Sequence, residues 1–236
     1  MSRNPSDEQA KVYVERAEEY DVLIRAEDAD GALPVALAER IELEGAVIAD
    51  VGAGTGRIAR LLGGRVRHVH LVERAAPMLA VAKARLALEG IANVTLHEAD
   101  ARELPLDTDS VDAAVAGWVF GHFRHWMPEG WEDEVDRAIA EMQRVVRASG
   151  PVLIIETLGT GHETPRTHEA LDEYFARLEE HHGFRRTWIR TDYQFDDAET
   201  AAEVLGGFFG DAMADRIREE GWARVPECTA IFERRA

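Results

Sequence analysis

Cysteine and lysine are almost missing from this chain. A single cysteine, Cys228, has no partner for an internal disulfide, and one thiolate is too few for a cysteine-based metal centre. Only Lys11 and Lys83 stand beside the many arginines, and the net charge is −18. A surface of that sign repels phosphate backbones, so nucleic acid is not an expected partner. No apolar run reaches the roughly 18 residues of a membrane span, and the opening MSRNPSDEQAKVY has no signal-peptide core. A cytoplasmic protein without a membrane partner is expected. No histidine pair has the helical i, i+4 spacing with a carboxylate of a zinc protease, and His181-His182 read as surface residues, so no metal is expected.

What is present is concentrated in residues 46–62, AVIADVGAGTGRIARLL. An apolar run ends in Asp50, Gly52, Gly54 and Gly56 follow at alternate positions, and Ile58, Leu61 and Leu62 resume at helical spacing. That pattern is a buried strand, a tight turn and a helix start. Glycine there admits positive φ and lets a ligand approach the main chain, while the helix start offers unpaired N–H groups. Upstream, Tyr13, Ala17, Tyr20 and Ile24 mark one face of a lid helix over 6–28, capped by Ser6 with Gln9. A second helix is expected over 33–43.

Downstream, VRHVHLVE forms a second strand ending on Glu73, where a carboxylate can accept from a ribose diol. Pro77 opens a long helix with Met78 in its first turn. NVTLH, VDAAVAGWVF and VLIIE supply further strands, with a helix over 131–147 before the last of them. Strand and helix alternate from 46 to 156, which implies right-handed crossovers and a parallel sheet. With 46% hydrophobic residues in 236, one domain is expected: lid helices over 1–45, a core over 46–157, and a substrate-side elaboration over 158–236. In that last part a helix over 168–182 precedes a sixth strand in GFRRTWIRTDYQF. Its arginines 185, 186 and 190 either greet an acidic substrate or form a solvated edge. Gly206–Gly210 should interrupt the following helix, against the lid or a partner.

VIADVGAGTGRIARLL, LVERAAPMLAVAKARL, HEADARELPLDTDSVDAAVAGWVFGHF and EMQRVVRASGPVLIIET resemble, in order, the motifs of class I S-adenosylmethionine-dependent methyltransferases of the small-molecule group. Ser149-Gly150-Pro151 departs from the usual Pro-Gly-Gly, and Glu73 from the commoner Asp. The resemblance implies an α/β fold: a Rossmann-like, doubly wound, seven-stranded sheet, mostly parallel with an antiparallel last strand, plus the N-terminal helical lid. It implies S-adenosyl-L-methionine as cofactor, held by Gly52, Gly54 and Gly56, with Asp50 holding the loop and, directly or through water, the cofactor's amino group. Glu73 would take the ribose hydroxyls, Met78 the adenine face, Asp100 and Ala101 the adenine edge, and Gly117 the methionine part. Tyr20 would close over them.

The implied reaction is in-line methyl transfer to O, N or C of a small-molecule acceptor, by a monomer or homodimer. It needs collinear, dry reactants and sometimes a base. His122, just beyond the fourth strand, is a candidate base or a brace for its loop, and Glu156 is a second candidate. Trp118 and Phe120 could wall the sulfonium, whereas Trp126 and Trp131 read as caps of a hydrophobic loop. Two other readings stand beside this one. An NAD-linked oxidoreductase would prefer G-x-G-x-x-G, and a non-catalytic relative would keep the glycine loop without a usable acceptor pocket.

Overall fold

The computed structural model describes residues 17–166 and 169–236. The lid helix α1 (Ala17–Ala26) and α2 (Ala32–Ala38) lead into β1 (Val47–Val51), α3 (Arg57–Leu62), β2 (His68–Glu73), α4 (Ala76–Leu88), β3 (Val94–Glu98) and β4 (Ala113–Gly117). Then come α5 (Gly121–Trp126), α6 (Trp131–Val145), β5 (Pro151–Thr157), α7 (Glu169–Ala176), β6 (Arg185–Arg190), β7 (Tyr193–Gln194), α8 (Ala198–Phe209), α9 (Asp211–Glu220), β8 (Arg224–Val225) and β9 (Cys228–Arg235). The expected Ser6 cap and Tyr13 lie outside the described residues.

Seven strands form one sheet in the order β3-β2-β1-β4-β5-β9-β6. β1 to β5 run parallel, and β9 inserts antiparallel to both β5 and β6. The strand order reverses between β1 and β4, which opens a crevice beyond their carboxyl ends. Both sheet faces are covered, so β1 is apolar and buried along its whole length apart from Asp50. One face packs on α6, whose stripe Val135, Ile139 and Met142 is buried as its spacing requires and which ends at Val145, before buried Val146 and short of the expected 147, and on Tyr174 and Phe175 of α7. The other packs on Leu33 and Leu37 of α2, Ile58 and Leu62 of α3, and Leu86 of α4. Among the described residues, no helix is long and apolar enough to cross a membrane.

Two further expectations shift, and a third holds. The second helix stops at Ala38 rather than reaching 43, although Ile41 stays buried because its N–H still bonds Leu37 O at 2.9 Å. The sixth strand leaves the sheet after Arg190, where buried Asp192 gathers Arg190, Arg224 and the Glu227 N–H. Tyr193 and Gln194 then pair with β8 in a separate two-stranded ribbon. The helix over 198–217 breaks at Gly210, and α8 folds back on α9 so closely that a Cβ on Gly206 would lie 2.7 Å from Ala214 Cβ. This pair meets the lid: Phe208 and Tyr20 rings are edge-on with centroids 6.0 Å apart.

The lid itself is tethered by charge. Asp21, fully buried on α1, meets Arg85 Nε of α4 at 2.7 Å, Arg25 at 3.3 Å and Arg60 of α3 at 3.6 Å. Three guanidinium groups around one carboxylate offset its desolvation.

The turn before β5 carries the departure from the family pattern. Ser149 adopts φ +67, while a Cβ on Gly150 would sit 2.6 Å from Asp112 O and 2.5 Å from Val146 Cγ1. A non-glycine residue in the left-handed region costs about 1–2 kcal/mol, part of which glycine returns as chain entropy. Ser149→Gly should therefore raise stability in urea unfolding by about 0.5–1 kcal/mol. Gly150→Ala should lower it by about 1–3 kcal/mol through overpacking against backbone. Equal signs for the two adjacent substitutions would contradict this account.

Candidate active site

The loop after β1 is fastened before any ligand arrives. Gly52 N and Ala53 N donate to Val72 O of β2 at 2.8 and 3.0 Å. Gly52 has φ +67, and a Cβ there would lie 2.5 Å from Val119 Cγ2, so no larger residue fits. Gly54 has φ +54, and its missing Cβ faces Met78 Cε at 3.5 Å and Tyr20 Cε1 at 3.9 Å. Its N–H donates to Glu73 Oε2 at 3.1 Å, and Glu73 Oε1 accepts from Ala75 N at 2.8 Å. Burial pushes the Glu73 carboxyl above its usual range, opposed by those N–H bonds.

Around this junction lies a cleft of about 290 Å³. Its lining draws on the loops after β1, β2, β3 and β4 and on the lid. It brings together Tyr20, Gly52, Gly54, Glu73, Met78, Asp100, Ala101, Gly117 and His122, all singled out in the sequence. Asp100 is gripped in bidentate fashion by Arg102, with Nε–Oδ1 and Nη2–Oδ2 both 2.7 Å, and this holds its carboxyl below the usual range. Burial pushes the Tyr20 phenol up to about 12, so it remains protonated.

Three of the sequence's site residues lie elsewhere. Gly56 is absent from the lining; its positive φ of +84 starts α3, and a Cβ would press on Ala82 at 3.3 Å and Leu71 at 3.5 Å, so it serves helix–sheet packing. Asp50 is buried behind the loop, where Oδ2 accepts from Ala59 N at 3.2 Å and burial pushes its carboxyl to about 7. Glu156 does not face the cleft as a second base would. Its Oε1 accepts from Gly121 N and from the Tyr174 hydroxyl, each at 3.0 Å, which braces the start of α5.

α5 in turn presents His122, Phe123 and Trp126 to the cleft. The His122 and Trp126 rings stack at 5.1 Å with an 11° interplanar angle, and the Arg74 guanidinium lies 5.2 Å over the Trp126 ring. Trp126 is thus a cleft wall rather than a loop cap, and its only sequence signal was the i, i+4 spacing from His122. The arginines of β6 point away from this chemistry: Arg185 meets Glu233, Arg186 meets Glu179, and Arg190 meets Asp192. Asp136, His181 and His182 place their ligand atoms within 4.8 Å of one another, but Arg177 already pairs both Asp136 oxygens.

The fold, with its cleft at the switch between β1 and β4, is Rossmann-like and of the kind seen in solved methyltransferase structures. Residues 49–154 match the family model described as a methyltransferase domain. An uncharacterized methyltransferase of Anoxybacillus flavithermus is 26% identical over 117 residues, covering 50% of each chain. The ubiquinone/menaquinone biosynthesis C-methyltransferase UbiE of Brucella canis is 33% identical over 111 residues, 45% of this chain and 38% of that one. The chain thus spans half or less of the length of these curated relatives. Among solved structures, YcgJ of Bacillus subtilis superposes with a TM-score of 0.57 at 18% identity, over 85% of this chain and 95% of that one. The cyclase SpnF superposes at 0.56 and 22%, over 86% and 79%. These two likenesses establish the fold.

Glu156 provides a test of the site's support. Its folded carboxyl keeps a proton to about 7, above the ordinary glutamate value of 4.5, because burial penalises the charge. A raised folded value means the contribution is complete below the unfolded range and is lost as pH climbs toward 7. Glu156→Gln keeps an acceptor for Tyr174 and cannot ionise. Relative to wild type, it should gain about 1–3 kcal/mol in urea unfolding between about pH 5 and about pH 8. A difference independent of pH would show that Glu156 does not hold this proton.

Proposed function

We propose that the cleft binds S-adenosyl-L-methionine and that the protein transfers its methyl group to a small-molecule acceptor. The observation that carries this is the meeting of Gly54, Glu73, Met78 and Ala101 in one cleft, joined through the Gly54 N–H to Glu73 bond. Each Glu73 oxygen accepts one backbone N–H and keeps a lone pair for a ribose hydroxyl. The space left by Gly54 fits a sugar against Met78 and Tyr20, and Asp100, aligned by Arg102, faces an adenine amino group. When bound, the cofactor supplies a methyl group on a positively charged sulfur.

The remaining work falls to this chain. Gly52, Gly117 and Trp118 set the end of the cleft where the methionine part would lie. Tyr20 and the lid exclude water, helped by Phe208 behind them. His122, stacked on Trp126 and so on the side of Arg74, reads as a wall for the nucleoside rather than a base at the acceptor. The fold alone does not choose the reaction, since a cyclase shares it; the donor set around Glu73 is what favours this reading. The G-x-G-x-G loop also leaves the NAD-linked alternative without support.

Isothermal titration with S-adenosylhomocysteine tests it. Wild type should bind at one site. Glu73→Ala should weaken binding by about 10- to 100-fold, the worth of hydrogen bonds to a charged group, and Gly52→Ala should abolish it by driving a methyl into Val119. No binding by wild type would refute the proposal.

A further inference from the structure

Beside Trp118 the chain buries charged groups that do not line the cofactor cleft. Arg57, the first residue of α3, holds its guanidinium 4.0 Å over the Trp118 ring and donates from Nη1 to Glu27 Oε2 at 2.8 Å. Its Nη2 is buried with no hydrogen-bond partner among the described residues. Glu227, just before β9, is 1% exposed. Its Oε1 accepts from Thr157 Oγ1 at 2.6 Å, the Thr160 hydroxyl also supports the carboxyl, and Oε2 is buried with no hydrogen-bond partner among the described residues. Glu27 is committed to Arg57, to Thr191 Oγ1 at 3.1 Å and to the Tyr193 phenol.

Leaving a buried donor and a buried acceptor unpaired costs about 1–3 kcal/mol each, and more when they are charged. Arg57 and Glu227 feel one another's charge, yet among the described residues they form no ion pair. Glu27 holds one and the two threonines hold the other, keeping them apart. Trp118, the wall shared with the cleft, is itself held at φ +56, a conformation that costs a non-glycine residue about 1–2 kcal/mol. Unpaired charge and backbone strain gather here at the carboxyl ends of β1, β4 and β5, where open α/β sheets bind ligands.

We propose that Arg57 and Glu227 grip the methyl acceptor through a single phenolic or enolic hydroxyl, which accepts from Arg57 Nη2 and donates to Glu227 Oε2. This rests on the methyltransferase reading above. A protonated amine brings donors only and is repelled by Arg57. A carboxylate brings acceptors only and faces Glu27 and Glu227. A neutral amine would surrender to Arg57 the one lone pair it needs for attack, whereas a hydroxyl oxygen has two. Burial, with the charge of Glu27, pushes the Glu227 carboxyl to about 8, so it takes up a proton in its ionised form, from about pH 8 upward. That value lies within reach of a phenol near 10 and far from a saturated alcohol.

In the reaction the hydroxyl proton passes to Glu227 Oε2 while Arg57 stabilises the negative oxygen. That oxygen forms its new bond to the methyl carbon as the carbon–sulfur bond breaks, with the electron pair retained by sulfur as a neutral thioether. The proton leaves Glu227 to solvent with product release, so one proton is liberated per methyl transferred.

The test uses 4-nitrophenol, whose anion is coloured, with benzylamine and benzoate as comparators. S-adenosylhomocysteine binding is first measured on wild type, Arg57→Met and Glu227→Gln; retained binding shows that each variant is folded. Each complex is then titrated with the three probes, following absorbance and heat. Wild type should bind 4-nitrophenol at least tenfold more tightly than either comparator, and both variants should lose at least tenfold of that affinity. Equal 4-nitrophenol binding by wild type and variants, or tighter binding of benzylamine or benzoate, or no probe binding by a wild type that holds S-adenosylhomocysteine, would overturn the inference. Failure of wild type to bind S-adenosylhomocysteine would instead remove the methyltransferase reading on which it rests.

Discussion

Glu73 stands where two loops have to meet, and both of its oxygens join them: one to the Gly54 N–H, the other to the Ala75 N–H. Without a carboxylate at the end of β2, the glycine loop would keep only its bonds to Val72 O. Two donors left unpaired in a half-buried turn would favour a different loop conformation. The side chain also lines the cleft, so the residue that shapes the site is the one proposed to recognise the ribose. The parallel pairing of β1 with β2 makes this reach possible, since it brings the two strand ends level, Val51 beside Val72.

Charge is divided in a consistent way. The chain is strongly acidic overall, but the elements that close the site are held by arginine. Arg85, Arg60 and Arg25 fix the lid through Asp21, Arg102 aligns Asp100, and Arg57 takes Glu27. A guanidinium stays charged when buried and binds a carboxylate through two parallel bonds, properties lysine lacks. The scarcity of lysine is thus matched by the use of arginine at Asp21, Asp100 and Glu27, whereas Asp50, Glu156 and Glu227 are held by N–H and O–H donors.

Much of the core was legible from residues 46–157 because its signals are local. Glycine at 52 and 54 answers to backbone geometry, Glu73 to its place at a strand end, and the α6 stripe to a helical period. Side-chain direction was not legible. Glu156 sits at the end of β5 as expected, yet it turns toward α5 and Tyr174. Trp126 depends on how a six-residue helix is rolled, which no sequence period reports. Gly56 shared a motif with Gly52 and Gly54 but answers to Ala82 of α4. Arg57 and Glu227 are far apart in sequence and come close enough to feel one another's charge because β9 inserts beside β5. The boundaries that moved, at Ala38 and Arg190, were set by burial and by Asp192, again through contacts distant in sequence.

The central claim is that the Glu73 junction is the nucleoside end of a cofactor cleft. A crystal structure of the protein with S-adenosylhomocysteine addresses it most directly. The account predicts the ribose diol within hydrogen-bond distance of Glu73, the adenine beside Met78 and Ala101, and the sulfur toward Gly117 and Trp118. A nucleoside seated elsewhere, or a nicotinamide dinucleotide retained in this cleft, would contradict it.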